Sequence, residues 1–173
     1  MLILDLSHTS HTESATGIQQ VCRHLYSELG RIAEVAAVVH DPWQRSWRLA
    51  DAGEQARLVP GSTGAGARRK GERWKGCMKL RGFLRRVAGI DGPLPGEVSA
   101  ALFPEFTAAH SLAAVGQLRR LLPPGTPFLA VFHDAIALRM PEHCAKATVE
   151  RMPAYVAALA SFDGVAAVSA ASR

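Results

Sequence analysis

Short, mostly apolar runs alternate along the chain with segments of helical periodicity, and this alternation most constrains the fold. The runs predicted as strands span residues 2–7, 35–40, 99–105, 128–134 and 165–168, and a shorter candidate spans 55–60. The helices predicted between them span residues 18–29, 108–122 and 142–161, with Pro153 expected to kink or break the last one. Apolar residues lie on both faces of each run, so both faces are expected to be buried.

Strands buried on both faces and separated by helices indicate a parallel sheet that helices cover on both sides. A chain of 173 residues is long enough for one well-cored domain and too short for two ordinary ones. The sequence therefore predicts an α/β protein, a single three-layer, Rossmann-like domain with a mostly parallel sheet over residues 1–173. A glycine-rich, basic insert at residues 61–96 interrupts the pattern, and residues 74–87 within it follow amphipathic helical spacing.

The positive charge of the chain is concentrated in one segment. From Arg68 to Arg86, nine lysines and arginines accompany a single acid, Glu72. This segment carries +8, so the other residues together carry −3 of the net charge of +5. Because a nucleic-acid-binding domain generally spreads basic charge over its working face, no nucleic-acid partner is expected.

Three further features favour a cytoplasmic location. No apolar stretch reaches the roughly 18 residues that a membrane-spanning helix needs. The N-terminal sequence MLILDLSHTSH lacks a basic region and reaches Asp5 early, unlike a secretion signal. Cys22, Cys77 and Cys144 are odd in number and far apart, which is typical of reduced thiols in the cytoplasm.

Polar residues follow each predicted strand. They are Ser7 to Gly17, His40–Asp41, Pro104–Glu105, His133–Asp134 and Ser169 to Arg173. Ligands of open α/β sheets bind beyond the carboxyl ends of the strands, so these positions are the candidate site. Strand ends also meet water and are often polar for that reason alone; it is the convergence of several titratable groups on one edge that points to function.

The first of these loops lacks the GxGxxG pattern of dinucleotide-binding proteins, which disfavours a nicotinamide or flavin enzyme. Its one glycine, Gly17, opens a predicted helix, where a phosphate can approach backbone N–H groups at the positive end of the helix dipole. The loop also holds His8 and His11, but only Glu13 stands near them as a third ligand, so no metal site is predicted. The His133–Asp134 pair follows a strand, unlike the pair in the all-helical HD metal phosphohydrolases.

Three patches in order resemble glycosyltransferase family 4, the retaining, nucleotide-sugar-dependent enzymes of the GT-B fold. They are TGIQQVCRHLYSEL at the first helix, VFHDAIALRMPE after a late strand, and FDGVAAVSAASR around the last strand. In that family a TGI-type loop opens the first helix, a strand ends in His-Asp with Pro-Glu beyond it, and a VSxxSR element follows the last strand of the first lobe. The resemblance spans nearly the whole chain except the basic insert.

The resemblance implies roles for individual residues. Thr16 and Gly17 would meet the donor diphosphate, with Ser169 and Arg173 facing the same cleft or a second lobe. His133 would contact the transferred sugar as a catalytic residue. Asp134 would orient that imidazole or, equally, brace the loop, and residues 135–138 would pack the loop down. No cofactor or metal is required in the family, because cations and helix N-termini stabilise the departing diphosphate.

The resemblance further implies that this domain is the N-terminal, acceptor-side half of a two-lobed enzyme. The second lobe would carry most of the donor-nucleotide pocket, including a basic residue pair and paired glutamates, and its absence would leave the fragment inactive. The expected function is transfer of a sugar from a nucleotide sugar to a glycan or lipid-linked acceptor. The alternative is a non-catalytic Rossmann-like binding or regulatory module that uses its basic arm to hold a partner or nucleic acid.

The basic segment has the composition of a membrane-surface contact, with apolar residues interleaved among cations. Family members often use lipid-linked acceptors at the inner face of the membrane, which agrees with a peripheral location. A solvated loop is the competing interpretation, since Gly76 and Gly82 weaken a helix. The residues predicted to contact a membrane or acceptor are Arg68, Arg69, Lys70, Trp74, Lys75, Lys79, Arg81, Arg85 and Arg86.

Overall fold

Six strands form one sheet in the computed structural model, which describes residues 1–12, 16–61, 74–90, 92–106 and 112–169 of the chain. The strands are β1 (Leu2–Asp5), β2 (Val35–Asp41), β3 (Ser46–Leu49), β4 (Ala100–Phe103), β5 (Phe128–Phe132) and β6 (Gly164–Ala167). The helices are α1 (Gly17–Ile32), α2 (Ala52–Gln55), α3 (Gly76–Val87), α4 (Leu112–Leu121), α5 (Ile136–Arg139) and α6 (Lys146–Leu159). Single 3-10 turns lie at Thr9–His11, Ala56–Leu58 and Pro141–His143.

The strand order is β3-β2-β1-β4-β5-β6, and every neighbouring pair is parallel except β2 with β3. The predicted α/β class with a mostly parallel sheet is therefore confirmed. From β1 the chain continues through α1 to β2 on one side, and it later returns to β4 on the other side of β1. This reversal makes the carboxyl ends of β1 and β4 the switch point at which open α/β sheets bind ligands.

Helices cover both faces of the sheet because successive strand residues point to opposite sides. Ile3 packs in one cluster of buried residues with Leu118 of α4 and Leu159 of α6. Leu4, its neighbour in β1, packs in the other cluster with Cys22 of α1. The predicted three layers are therefore present.

One predicted strand is wrong and one observed strand was missed. Residues 55–60 end α2 and form a 3-10 turn, since Asp51 and Glu54 cap α2 with reciprocal side-chain and backbone hydrogen bonds. The sheet instead gains β3, which returns antiparallel to β2 through a turn with Arg45 at φ 57°. A buried charge, Arg48, lies in the middle of β3 and hides the strand from a search for apolar runs.

The chain around the last predicted helix also differs in detail. Helix α6 is continuous through Pro153, which removes only one helical hydrogen bond, while Met152 and Tyr155 hold the helix against the core. Of residues 135–138, expected to pack the loop down, Ala137 is buried whereas Ile136 and Leu138 are exposed.

The amphipathic segment 74–87 is helical over Gly76–Val87, as its spacing predicts. Helix α3 rests on the β2–β3 turn at Gly82. A Cβ atom at this position would lie 2.9 Å from Asp41 Oδ1, 2.9 Å from Trp43 Cβ and 3.1 Å from the Gln44 nitrogen. The contact leaves no room for a side chain, so this glycine sets how closely α3 approaches the sheet.

Replacing Gly82 with alanine is expected to lower the free energy of unfolding. Overpacking costs about 1–3 kcal/mol, more than the ~1 kcal/mol that alanine gains in a helix interior. Gly30→Ala is the matched control, because Gly30 is exposed in α1 with nothing within 4 Å of its Cβ position. Urea titration followed by circular dichroism should show G82A destabilised and G30A unchanged or slightly stabilised. The reverse order would contradict the close seating of α3.

Candidate functional site

The candidate site lies along the edge of the sheet where the parallel strands end. Gly17 opens the helix that follows β1, His133 directly follows β5, and Ser169 lies two residues beyond β6. Since β1, β5 and β6 run parallel in one sheet, these three residues lie on the same edge. Arg173, which the sequence also assigned to this site, lies outside the described residues.

Among the described residues, no atom apart from its chain neighbours and the backbone of its own helix lies within 4 Å of the Gly17 Cβ position, so the N-terminus of α1 is open to these residues. Thr16 is the N-cap, but its hydroxyl donates to the Gln19 side chain and does not cap the helix backbone. The first turn of α1 contains no acidic residue. The positive end of the helix dipole is therefore not neutralised by an acid in that turn, which suits an anion.

His133 joins the ends of two neighbouring strands. Its Nε2 donates to the carbonyl oxygen of Pro104, beyond β4, at 2.5 Å. Since a carbonyl only accepts, Nε2 carries the proton and Nδ1 is left as an acceptor in the neutral ring. The half-buried imidazole is thus held in one tautomer at the end of β5.

Asp134 is exposed and acts on its own loop. Its Oδ1 accepts from the backbone N–H of Ile136 at 3.1 Å, which fixes the turn that begins α5. The resemblance implies that Asp134 either orients His133 or braces the loop, and this hydrogen bond corresponds to bracing the loop. The Asp134 charge also acts together with burial, the larger cause, to raise the pKa of Tyr155 to about 12.

Glu105, at the switch point, is a buried acid whose surroundings raise its pKa. The fully buried carboxylate accepts from the N–H of His8 at 2.6 Å and of Thr9 at 3.0 Å, and also from the Thr9 hydroxyl. Burial and the nearby charge of Asp5 raise the pKa of Glu105 to about 7, against the opposing hydrogen bonds from Thr9. The sequence marked Pro104–Glu105 as a polar strand end but gave no sign of this bonding.

A buried chain of charged side chains extends from the turn after β1 to the turn after β2. Arg48 of β3 grips Glu54 of α2 through two hydrogen bonds, at 2.6 and 2.7 Å, and contacts Asp41 at 3.3 Å. His11 Nε2 lies 2.9 Å from Glu54 Oε1, the oxygen that also accepts from Arg48 Nη2. Burial alone would raise the pKa of Glu54, but hydrogen bonds from Arg48 and His11 reverse the effect and hold it well below its ordinary value.

His11 is buried among groups from three parts of the chain. Nδ1 lies 2.8 Å from the carbonyl oxygen of Ser7 and 3.0 Å from the Ser10 hydroxyl, and Nε2 lies 2.9 Å from Glu54. The ring of Trp74 stacks on the imidazole at 3.6 Å and 15°. We refer to Asp41, Arg48, Glu54 and His11 as the buried ion chain.

The basic segment is divided between the core and the surface. Arg68, Arg69 and Lys70 lie outside the described residues. Trp74, predicted to contact a membrane or acceptor, is half-buried, and its flat ring covers His11 at the end of the buried ion chain. The remaining residues lie in or beside α3: Lys75, Lys79 and Arg86 are exposed, while Arg81 and Arg85 are half-buried.

The described residues contain no group of three or more histidines, cysteines or acids arranged to hold a metal ion. None of the described helices combines the length and the apolar character needed to cross a bilayer.

No protein-family model, curated protein or solved structure matches the chain. Its function therefore has to be argued from the site itself.

Glu105→Gln is expected to remove a pH dependence of stability. A folded-state pKa raised from 4.5 to about 7 means that the folded domain binds the extra proton between these values. The stabilising contribution of Glu105 to the free energy of unfolding is therefore present below pH 4.5 and is lost as the pH rises to 7. The loss is on the order of 3 kcal/mol. Glutamine mimics the protonated acid, so E105Q should match the parent domain at pH 4.5 and exceed it at pH 8.

Urea titrations across this pH range measure the effect, and exposed Glu97→Gln is the control. The other titratable groups that interact electrostatically with Glu105 are Asp5, His8, Cys22 and Arg23. All four are present in both proteins. Parallel pH profiles for E105Q and its parent would show that Glu105 stays ionised in the folded domain.

Proposed function

We propose that this domain is the acceptor-side half of a retaining glycosyltransferase, which transfers a sugar from a nucleotide sugar to a glycan or a lipid-linked acceptor. One observation carries the proposal. The three motifs that resemble glycosyltransferase family 4 are spread between residues 16 and 173, yet Gly17, His133 and Ser169 lie on one edge of one parallel sheet. Because the carboxyl ends of parallel strands meet at one edge, the fold agrees with the order of the three motifs.

The local chemistry of two of these positions agrees with the proposal. The open α1 N-terminus at Gly17 offers backbone N–H groups and a positive dipole end to a diphosphate. Such a reaction is accelerated most by groups that stabilise the departing diphosphate, because negative charge develops on the diphosphate in the transition state. His133, fixed by the Pro104 carbonyl, would present a preset imidazole to the sugar. Its role would be contact and positioning, as no general base is assigned.

The proposal includes a second α/β lobe and a place in the cell. The second lobe would supply most of the nucleotide pocket, so the domain alone should transfer sugar at no useful rate. The enzyme would work in the cytoplasm at the inner face of the membrane, with the basic segment toward anionic lipid. Reading the gene beyond Arg173 is the simplest test of the second lobe.

A binding or regulatory module is the second candidate, and one observation favours it. At the switch point the N–H groups of His8 and Thr9 are already taken by the domain's own carboxylate, Glu105. A ligand anion would have to use the α1 end of the crevice instead. Sugar turnover by the longer protein would decide for the enzyme, and its absence with a partner bound to the basic arm would decide for the module.

Gly17→Leu is expected to lower sugar transfer without changing the fold. The Gly17 Cβ position is open, so the side chain should enter empty space and obstruct a diphosphate there. In the protein that carries both lobes, kcat/KM should fall at least ~10-fold, about 1.4 kcal/mol of transition-state binding. Gly30→Leu, on the same helix and equally open, is the control. Equal activity of the two variants would remove Gly17 from the donor site.

His133 and Asp134 should respond differently to substitution. His133→Ala removes the group facing the sugar and is expected to lower kcat by roughly 100-fold, as misplacement at a reacting centre does. Asp134→Asn keeps an oxygen that accepts from the Ile136 N–H, so activity should stay within about twofold. Steady-state kinetics and thermal melting separate catalysis from stability. A large loss in D134N with an unchanged melting temperature would instead make Asp134 catalytic.

A further inference from the structure

Helix α3 carries an exposed apolar stripe along its length. Leu80, Phe83, Leu84 and Val87 are 59, 52, 56 and 71% exposed. Their spacing, i, i+3, i+4 and i+7, places all four on one face of the helix. Isolated exposed apolar residues are ordinary on a protein surface, but a continuous row of four large ones marks an interaction face.

The opposite face of α3 is the one that packs on the domain. Met78 and Gly82 are buried, and Gly82 contacts the β2–β3 turn closely. At about 100° per residue, this seated face lies roughly opposite the stripe. Arg81 adds a contact to Asp51 at 3.1 Å. The helix is therefore held from behind, and the stripe cannot turn inward without breaking these contacts.

The charge of α3 indicates what covers the stripe. Gly76–Val87 contains Lys79, Arg81, Arg85 and Arg86 and no acid, and Lys75 directly precedes it. Arg86 falls beside the stripe, where a long side chain can lay its apolar stem along it and keep its charge outward. Lys79 falls on the same side and holds its ammonium over the ring of Trp43, 5.2 Å from the centroid. A second copy of this face would bring cation against cation. An anionic surface with an apolar layer beneath it matches both features.

We propose that α3 is an interfacial helix that docks the domain on an anionic lipid bilayer. The stripe would insert shallowly, with the helix lying in the membrane plane, since 12 residues span only about 18 Å. The flanking cations would contact lipid phosphates. This inference deepens the membrane location in the proposed function and assigns it to one helix face. It does not depend on sugar transfer.

Co-sedimentation with vesicles tests the inference on the intact chain. The domain should bind phosphatidylcholine vesicles containing about 30% phosphatidylglycerol at low salt, and at least ~10-fold more weakly in 0.5 M salt or with pure phosphatidylcholine. Phe83→Ser with Leu84→Ser should weaken binding at least ~10-fold. The matched control is Ile32→Ser with Leu121→Ser, which removes two exposed apolar residues from α1 and α4.

Each outcome decides the inference. No binding at low salt, equal binding to both vesicle types, or equal loss in the control would overturn it, as would stripe-dependent self-association or capture of an acidic protein without vesicle binding. If circular dichroism shows that the serine variant is unfolded, Lys79→Gln with Arg86→Gln replaces it and should also bind at least several-fold more weakly. No sugar is transferred in this assay, so a failure to bind vesicles leaves the proposed sugar transfer standing. A failure to transfer sugar likewise leaves the vesicle binding of α3 standing.

Discussion

The buried ion chain is the interaction on which the arrangement of β3, α2 and the turn after β1 depends. Arg48 is buried in an edge strand, where an unpaired guanidinium would be costly, and it is compensated by Glu54 on one side and Asp41 on the other. His11 continues the chain into the turn after β1. Removing one partner from such a buried set typically costs about 3–5 kcal/mol, because the remaining charge stays buried. The chain therefore fixes one arrangement of β3, α2 and the first loop relative to one another.

Helix α3 and the residues just before it contact the two ends of the buried ion chain. Gly82 rests against Asp41, and Trp74, just before the helix, stacks on His11. The approach of α3 and the position of the first loop are thus determined by the same set of charges. The exposed stripe of α3 points outward for this reason, and the 3-10 turn Thr9–His11 is held by the same contacts.

The sequence predicted those parts of the fold that depend on local patterns. Apolar runs identified β1, β2, β4, β5 and β6, because a strand buried on both faces needs apolar residues along its whole length. Strand β3 was missed because Arg48 is buried by partners distant in the fold, which no local pattern reveals. The spacing of Asp51 and Glu54 did contain a usable signal, since D-x-x-E is a capping box that marks a helix start.

The candidate site divides in the same way. Gly17 and His133 could be placed from sequence, because parallel strands bring their carboxyl ends to one edge whatever their order. The hydrogen bonding of Glu105 could not, because its partners, His8 and Thr9, come from a loop almost a hundred residues earlier. The strand order makes them neighbours, since β4 pairs with β1 and not with the strand that precedes it in the sequence.

This strand order also explains how one edge of the sheet forms two separate regions, the switch point at Glu105 and the seat of α3. The reversal between β1 and β4 lies at the centre of the edge, and the buried Glu105 lies there, bonded to the loop after β1. On the β2–β3 side, the turn after β2 and the buried ion chain provide the seat for α3. The loop after β1 belongs to both, because Thr9 bonds Glu105 while His11, two residues on, bonds Glu54. The seat of α3 and the surroundings of Glu105 therefore share the single 3-10 turn Thr9–His11.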